Sequence, residues 1–448
     1  MHRICKMNVI IPMAGLGSRF TKYGFSTNKY LLPVNLEKTK MIEKAILTLN
    51  IPHNDIQSDN HARFIFILRE ENGYDLELRS YLQSLCFTHS YECIIISTPH
   101  LTEGPTSTAY LAKEYIDNDV PLIISNSDQI LDWDYENFIN ISTDYDASVL
   151  TYIPDYELII GNTDKHSFVK FDEVTRKPVE FIEKKVISNE ALVGVHYYKK
   201  GSYFIQGAEY IFNHNMRAPN GEFYLSYTYQ ALLNMGYNIG TYCLNDDEHF
   251  YPVGEPEDYF AYYNKSSGFL NVPLSNYHII NEYDFFKIQF HEKDEIIQLN
   301  NSLFFPVSPV CDMFLVGEGN IQYKFNSDTY SILIPYLGID GKMEKIDIAH
   351  YTRGWLVGNF EPSVIKTELF EFGVLRHKKD EKWGFHYHAE TKEINILIQG
   401  KMRINNVLVE ENTIFIFERN MISCPLFLED CVVICIKLPS LPNDKVII

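Results

Sequence analysis

Basic side chains are in the minority in this sequence. Lys and Arg number 39 against 59 Asp and Glu, a formal net charge of −20. That balance excludes a protein whose whole surface tracks nucleic-acid phosphates. It leaves room for a nucleotide substrate, because a few local cations and a metal ion offset a triphosphate. No apolar run approaches the ~20 residues needed to span a bilayer, so no membrane partner is expected. Residues 1–7 are short, polar and lead straight into strand-like sequence, so no signal peptide is expected. The eight cysteines are scattered and none lies in a C-x-x-C pair. A reduced, cytoplasmic setting follows, with most thiols acting as small buried hydrophobes. Repeats and low-complexity tracts are also missing.

What is present is apolar material for more than one core: 46% hydrophobic residues in 448. The first ~130 residues alternate apolar strands and amphipathic helices. Strands are expected over 8–13, 63–68, 92–97 and 121–125, and helices over 40–49, 74–85 and 106–115. This alternation predicts a parallel sheet covered by helices, with ligands beyond the carboxyl ends of the strands. Further on, 147–152, 167–171 and 191–198 read as strands, and 203–213 and 224–235 as helices. A Ser-, Asn- and Gly-bearing stretch over 265–277 marks a boundary. Segment 266–345 carries strand-like pieces at 302–305, 313–316 and 330–335 and is read as a linker or additional β-rich segment. From 346 to 448 short strands recur with almost no helix signal, among them 364–372, 393–398, 401–404, 413–417 and 432–438. That pattern predicts an all-β sandwich or barrel.

The strongest motif is Ile10-Ile11-Pro12-Met13-Ala14-Gly15-Leu16-Gly17-Ser18-Arg19. A glycine-rich turn after a buried strand lets backbone N–H groups reach phosphate oxygens, and Arg19 adds a fork-shaped cation. With its continuation, Asn28-Lys29-Tyr30-Leu31-Leu32-Pro33-Val34, the segment resembles the sugar-phosphate nucleotidyltransferases, or sugar-nucleotide pyrophosphorylases. Asn28 stands where that family usually has proline. Further segments match in order: Thr102–Ala109, Ser125–Gln129, Phe181–Lys185, Val193–Tyr198, Asn220–Tyr224 and Val253–Asp258. The resemblance covers about 7–262. It implies a Rossmann-like α/β domain of GT-A type over 1–265.

The same resemblance implies roles. Ala14, Gly15, Leu16, Gly17 and Ser18, with Glu103, Gly104, Thr108 and Asn126, would bind the nucleotide. Arg19, Lys29, Asp128 and Lys184 would be catalytic, with Mg²⁺ on Asp128. Glu183, Lys184, Gly194 and Glu222 would bind the phosphorylated sugar or polyol. Many family members carry a second magnesium aspartate at the position of Pro252. Asp128 is then left to hold the ion with phosphates and water, or with a carboxylate such as Glu222 or Asp247. Taken singly, Lys29 and Lys184 read as solvated lysines and Asp128 as a helix cap. Their order along the chain favours the functional reading.

Near the C-terminus, His386-Tyr387-His388 puts two imidazoles on one strand face, followed by Glu393 and Gly400. This H-x-H-x4-E-x6-G pattern resembles the first metal motif of the cupins, double-stranded β-helix barrels, over about 350–440. It implies a barrel over 346–448 in which His386, His388 and Glu393 hold Zn²⁺ or Fe²⁺. A metal-free hydrogen-bonded network, a homodimer contact, and sugar chemistry with histidine as base stand beside that reading. Near the family's second histidine position stand Ser423 and Cys424.

Two function classes follow. One is a nucleotidyltransferase that moves NMP from an NTP to a phosphorylated sugar or polyol, making a precursor for surface polysaccharide, capsule or glycan. In this class the C-terminal domain would isomerise, epimerise or bind a related compound. The other is a non-catalytic sensor or scaffold on the same folds, which Pro252 favours.

Overall fold

The computed structural model describes residues 7–52, 62–70, 74–154, 165–274, 287–300, 302–307, 313–317, 319, 321–335 and 343–448. The chain divides into two compact units, 1–34 with 39–262, and 35–38 with 263–448.

The first unit is built on a sheet of order β10-β6-β9-β4-β1-β2-β3. Its strands are β1 (Met7–Met13), β2 (Ala62–Arg69), β3 (Glu92–Thr98), β4 (Leu122–Ser125), β6 (Ala147–Tyr152), β9 (Ala191–Tyr198) and β10 (Ile239–Cys243). A hairpin of β7 (Ser167–Phe171) and β8 (Pro178–Glu183) joins through β9. A separate ribbon pairs β5 (Gln129–Asp132) with β11 (His249–Pro252). The central strands are apolar on both faces because both are covered. Val9, Ile11, Phe64 and Phe66 feed one core, while Ile10, Ile65 and Ile67 feed another.

The sheet is mixed, not parallel throughout. Strands β1, β2, β3 and β4 are parallel, but β9 enters between β4 and β6 antiparallel to both. A doubly buried run such as Leu192–Tyr198 reports burial and carries no signal of direction. The helix expected over 106–115 is two shorter ones, Pro105–Tyr110 and Lys113–Ile116. Leu111 and Ala112 bond back only three residues, to Thr108 and Ala109, which breaks the α-helical ladder between them.

The second unit is strand-rich. One sheet has the order β12-β26-β23-β28-β21-β20, from β12 (Leu270–Pro273), β20 (Trp355–Val357), β21 (Glu371–His377), β23 (Lys392–Gln399), β26 (Thr413–Phe417) and β28 (Cys431–Leu438). A second sheet runs β13-β18-β15-β16-β19, from β13 (Lys287–His291), β15 (Ser302–Pro306), β16 (Met313–Val316), β18 (Thr329–Pro335) and β19 (Met343–Ile346). The strand expected over 364–372 does not form: the strand there is Glu371–His377, and before it Ile365 makes an isolated bridge to Val357. Charged and polar Lys366, Thr367 and Glu368 interrupt the apolar alternation in that stretch.

Alternation gives β23 and β28 two distinct faces. Ile394, Ile396, Ile434 and Ile436 join Leu303, Phe305, Ile332 and Ile334 in one core. Glu393, Asn395, Val433, Cys435 and Lys437 face the opposite way and line a cavity of about 1520 Å³.

Candidate active site

The glycine turn follows β1. Gly17 adopts φ 61°, a conformation that favours glycine, and leads into the short helix Ser18–Tyr23. Gly15 differs: a Cβ built there meets nothing within 4 Å. Among the described residues, protein packing gives no reason for glycine at 15, and the space above the turn is open. Leu16 is exposed beside it, and Ala14 is buried at the strand end. Arg19 extends past the turn and pairs with Glu255, Nη1 to Oε1 3.1 Å, while Lys165 Nζ holds the other oxygen at 3.3 Å.

Lys29 sits on a 3₁₀ turn, Lys29–Leu31. Asn28 caps it: its Oδ1 accepts from the Tyr30 N–H at 3.1 Å. Asn28 also has φ −56°, close to the value a proline ring enforces. The exchange therefore keeps the backbone and adds a cap. Lys29 Nζ donates to Asp128 Oδ2 at 2.6 Å. Burial works against both charges, yet their attraction prevails, lifting Lys29 above the ordinary lysine range and holding Asp128 below the usual carboxylate range.

Asp128 lies between β4 and β5, at the carboxyl end of the parallel strands. The β5–β11 ribbon brings the segment after Pro252 beside it, with Val253 N–H donating to Asp128 O at 3.0 Å. A Cβ on Gly254 would stand 2.9 Å from Asp128 Oδ2. That missing carbon leaves the carboxylate a cradle. One carboxylate plus substrate phosphates is an ordinary Mg²⁺ donor set, so Asp128 would fit the ion once Lys29 Nζ, 2.6 Å from Oδ2, turns to the phosphates. Glu222 lies elsewhere, accepting from Asn220 Nδ2 and Tyr224 OH, each at 2.7 Å.

Gly194 supports Asn126. The two strands meet at Ser125↔Val195, Asn126 N–H donates to Gly194 O at 2.9 Å, and Gln129 brackets Gly194 with bonds of 2.8 and 3.1 Å. Any Cβ on Gly194 would overlap the Asn126 amide. This glycine acts by close approach of two chains.

Gly104 has φ 120°, and a Cβ there would stand 2.6 Å from Phe223 O and 3.0 Å from Glu222 Cβ. The 217–223 loop is clamped onto 103–106. Phe223 N–H donates to Glu103 O, Thr106 N–H donates to Phe223 O, and Arg217 pairs with Glu103 while lying over the Phe223 ring. Thr108 Oγ1 donates to Gly104 O at 3.1 Å. Glu183 and Lys184 flank this wall. Glu183 is buried and accepts from Ser167 and from Ser226 Oγ (2.8 Å); burial pushes its carboxyl up. Lys184 has φ 59°, and its Nζ stands 5.5 Å from the Tyr224 ring centroid. The predicted residues thus form two neighbouring groups, one around Asp128 and one around Glu183, Lys184, Glu222 and Gly104. Sequence reading missed Tyr224, Arg217 and the Glu255 pairing, each adjacent to a residue already singled out.

In the second unit, His386 and His388 lie on β22 (His386–His388) and, with Glu393, line the cavity. His386 Nδ1 donates to Gly384 O at 2.8 Å, which directs its Nε2 as the free acceptor; burial lowers the ring to about 4. Glu393 Oε1 takes Lys437 Nζ at 3.0 Å and His388 Nε2 at 3.2 Å. Burial opposes its ionisation, but Lys437 and His388 hold it well below the carboxylate range. Lys437 Nζ also stands 3.3 Å from His388 Nε2. Two of the three expected donors for Zn²⁺ or Fe²⁺, Glu393 and His388, thus already converge on one ammonium, and a dication does not fit between those two beside Lys437. Among the described residues, no group of three or more His, Cys, Asp or Glu side chains is arranged to hold a metal ion. Sequence reading missed Lys437, which the pairing of β23 with β28 sets opposite Glu393.

No family model matches the chain, and no curated protein matches it. Solved structures similar to it are sugar nucleotidyltransferases. One is a nucleoside-diphosphate-sugar pyrophosphorylase from Vibrio cholerae RC9, with 21% identity over 57% of this chain and 99% of that one, TM-score 0.46. Another is a putative glucose-1-phosphate thymidylyltransferase from Bacillus anthracis in complex with sucrose, with 20% identity over 58% and 95%, TM-score 0.46. A third is an inositol-1-phosphate CTP transferase from T. maritima, with 12% identity over 59% and 98%, TM-score 0.42. Among the described residues, no helix is long and apolar enough to cross a membrane.

Proposed function

We propose that the first unit transfers a nucleotidyl group from an NTP to a phosphorylated sugar or polyol and releases pyrophosphate. The observation that carries this reading is the Lys29–Asp128 pair, set at the end of the parallel strands beside an open glycine turn. An oxygen of the acceptor phosphate attacks the α-phosphorus, a P–O bond forms, and the bond to the β-phosphate bridge breaks. Such a reaction asks the protein mainly for positioning and charge neutralisation. The Gly15–Ser18 amides and Arg19 hold the β- and γ-phosphates, with Arg19 leaving Glu255 to do so. Lys29 neutralises the transferred phosphate. Lys184 binds the acceptor phosphate, Glu183 accepts from its hydroxyls, and Gly104 and Thr108 shape the wall for the base. Asp128 would hold Mg²⁺ together with the substrate phosphates, and the ion would neutralise phosphate charge.

The product would be an NDP-activated precursor for polysaccharide or glycan synthesis. The second unit would be a cupin-type domain that binds or converts a related compound. The test is pyrophosphate release from the full chain, with Mg²⁺, across panels of NTPs and sugar or polyol phosphates. At least one pair should turn over, and Lys29→Ala or Asp128→Asn should cut kcat by about 10²–10³-fold. Tight nucleotide binding with no pyrophosphate from any pair would overturn the proposal in favour of a sensor.

A further inference from the structure

We infer that the cavity of the second unit is a metal-independent binding site for a phosphorylated sugar. This rests on the proposed function only for the choice of sugar phosphate over other organic anions.

Four observations converge on that cavity. Its expected metal donors, Glu393 and His388, already enclose the Lys437 ammonium, so the site carries its own fixed cation. Lys445 and Arg353 are two of five further cations that line the same space, against two further carboxylates, Asp347 and Glu381. Lys445 Nζ rests 4.1 Å from the centroid of the Trp383 ring, and among the described residues neither Lys445 nor Arg353 makes an ion pair. They are the groups an anionic ligand would reach first.

The buried floor contains hydrogen-bonding capacity that the protein leaves unused. Asn395 is 5% exposed, shares its strand face with Glu393, and its Nδ2 has no partner among the described residues. His386, which lines the same cavity, offers its Nε2 as an acceptor. A cavity that offers both a donor and an acceptor suits hydroxyls, which can serve either. Finally, Trp355 and Trp383 both line the cavity, and the flat, apolar C–H face of a pyranose stacks on such rings. Cations, unused hydrogen-bonding groups and indole rings in one cavity together fit a phosphorylated sugar better than a free anion or an apolar ligand.

Two of the chain's three tryptophans lie in this cavity, so their fluorescence reports on it; the third, Trp133, is buried in the first unit. The experiment titrates glucose 1-phosphate, glucose and inorganic phosphate into the full chain, in EDTA and without NTP. Glucose 1-phosphate should quench saturably, and more tightly than either fragment. Lys445→Met and Arg353→Ala should each weaken that binding by about tenfold, and Trp383→Phe should remove much of the signal. Lys184→Ala, which disables the proposed acceptor site of the first unit, should leave the quench in place. Loss of the quench in Lys184→Ala but not in Lys445→Met would assign it to the first unit and overturn the inference. So would loss in EDTA with recovery on added Zn²⁺, equal binding of inorganic phosphate, or no response at all. Pyrophosphate release, measured separately, shows whether the first unit's activity stands or falls independently.

Discussion

Lys29 Nζ and Asp128 Oδ2, 99 residues apart in sequence, meet at 2.6 Å. Neither side chain is fully sealed from solvent, at 13% and 28% exposure, so the pair is part-buried and solvent reaches both partners. Removing either partner strands a partly desolvated charge. Lys29→Met and Asp128→Asn should each destabilise the fold by about 1–3 kcal/mol, below the cost of breaking a fully buried pair. The double variant should recover part of that loss, as read from urea melts of all four proteins. Strict additivity would show that the pair is uncoupled.

Gly15 and Gly104 should respond oppositely to alanine. A Cβ on Gly15 meets nothing within 4 Å, whereas one on Gly104 meets the Phe223 backbone at 2.6 Å in a left-handed conformation. Gly15→Ala should leave the thermal midpoint unchanged and weaken NTP binding. Gly104→Ala should lower stability by about 1–3 kcal/mol. Calorimetry on both variants, with and without NTP, checks the contrast.

Glu183 is a trade between stability and binding. Burial raises its folded pKa above the ordinary 4.5 despite the bonds from Ser167 and Ser226. A raised folded pKa means its stability contribution is intact below 4.5 and lost as pH rises through the folded value. Glu183→Gln should therefore melt higher than the parent near neutral pH, with the gap closing below about pH 4.5. The same variant should raise KM for the sugar phosphate.

His196 should make the fold acid-sensitive. It is buried on β9, its Nδ1 3.2 Å from Tyr229 OH, and burial depresses it from 6.5 to about 3. The unfolded chain then binds the extra proton first, so stability is full above 6.5 and falls as pH drops toward the folded value. Replacing His196 with Gln should flatten the melting-temperature profile between those limits. An unchanged slope would mean that other groups carry the acid response.

Much of this was legible in the sequence. The strands over 8–13, 63–68 and 92–97 were visible because doubly covered strands are apolar throughout, and the structure extends each by only a residue or so. The direction of β9 was not visible, since Leu192–Tyr198 records burial alone. In the site, Gly17 and Gly104 could be suspected as glycines, but their reasons differ: one needs a left-handed turn and the other must admit Phe223. Gly194 could not be sorted from a simple turn glycine without knowing that Asn126 crosses it. In the second unit the H-x-H spacing was visible, while the partner of Glu393 was not, because strand pairing places Lys437 beside it from 44 positions further on.

That lysine has a practical consequence. A centre that builds its positive charge into the polypeptide owes nothing to metal supply: chelators cannot strip it, rival ions cannot mismetallate it, and starvation for zinc or iron would leave it intact. The charge is also fixed at one unit on a tethered stem. It can orient and attract, and it has no vacant coordination position to offer to dioxygen or water.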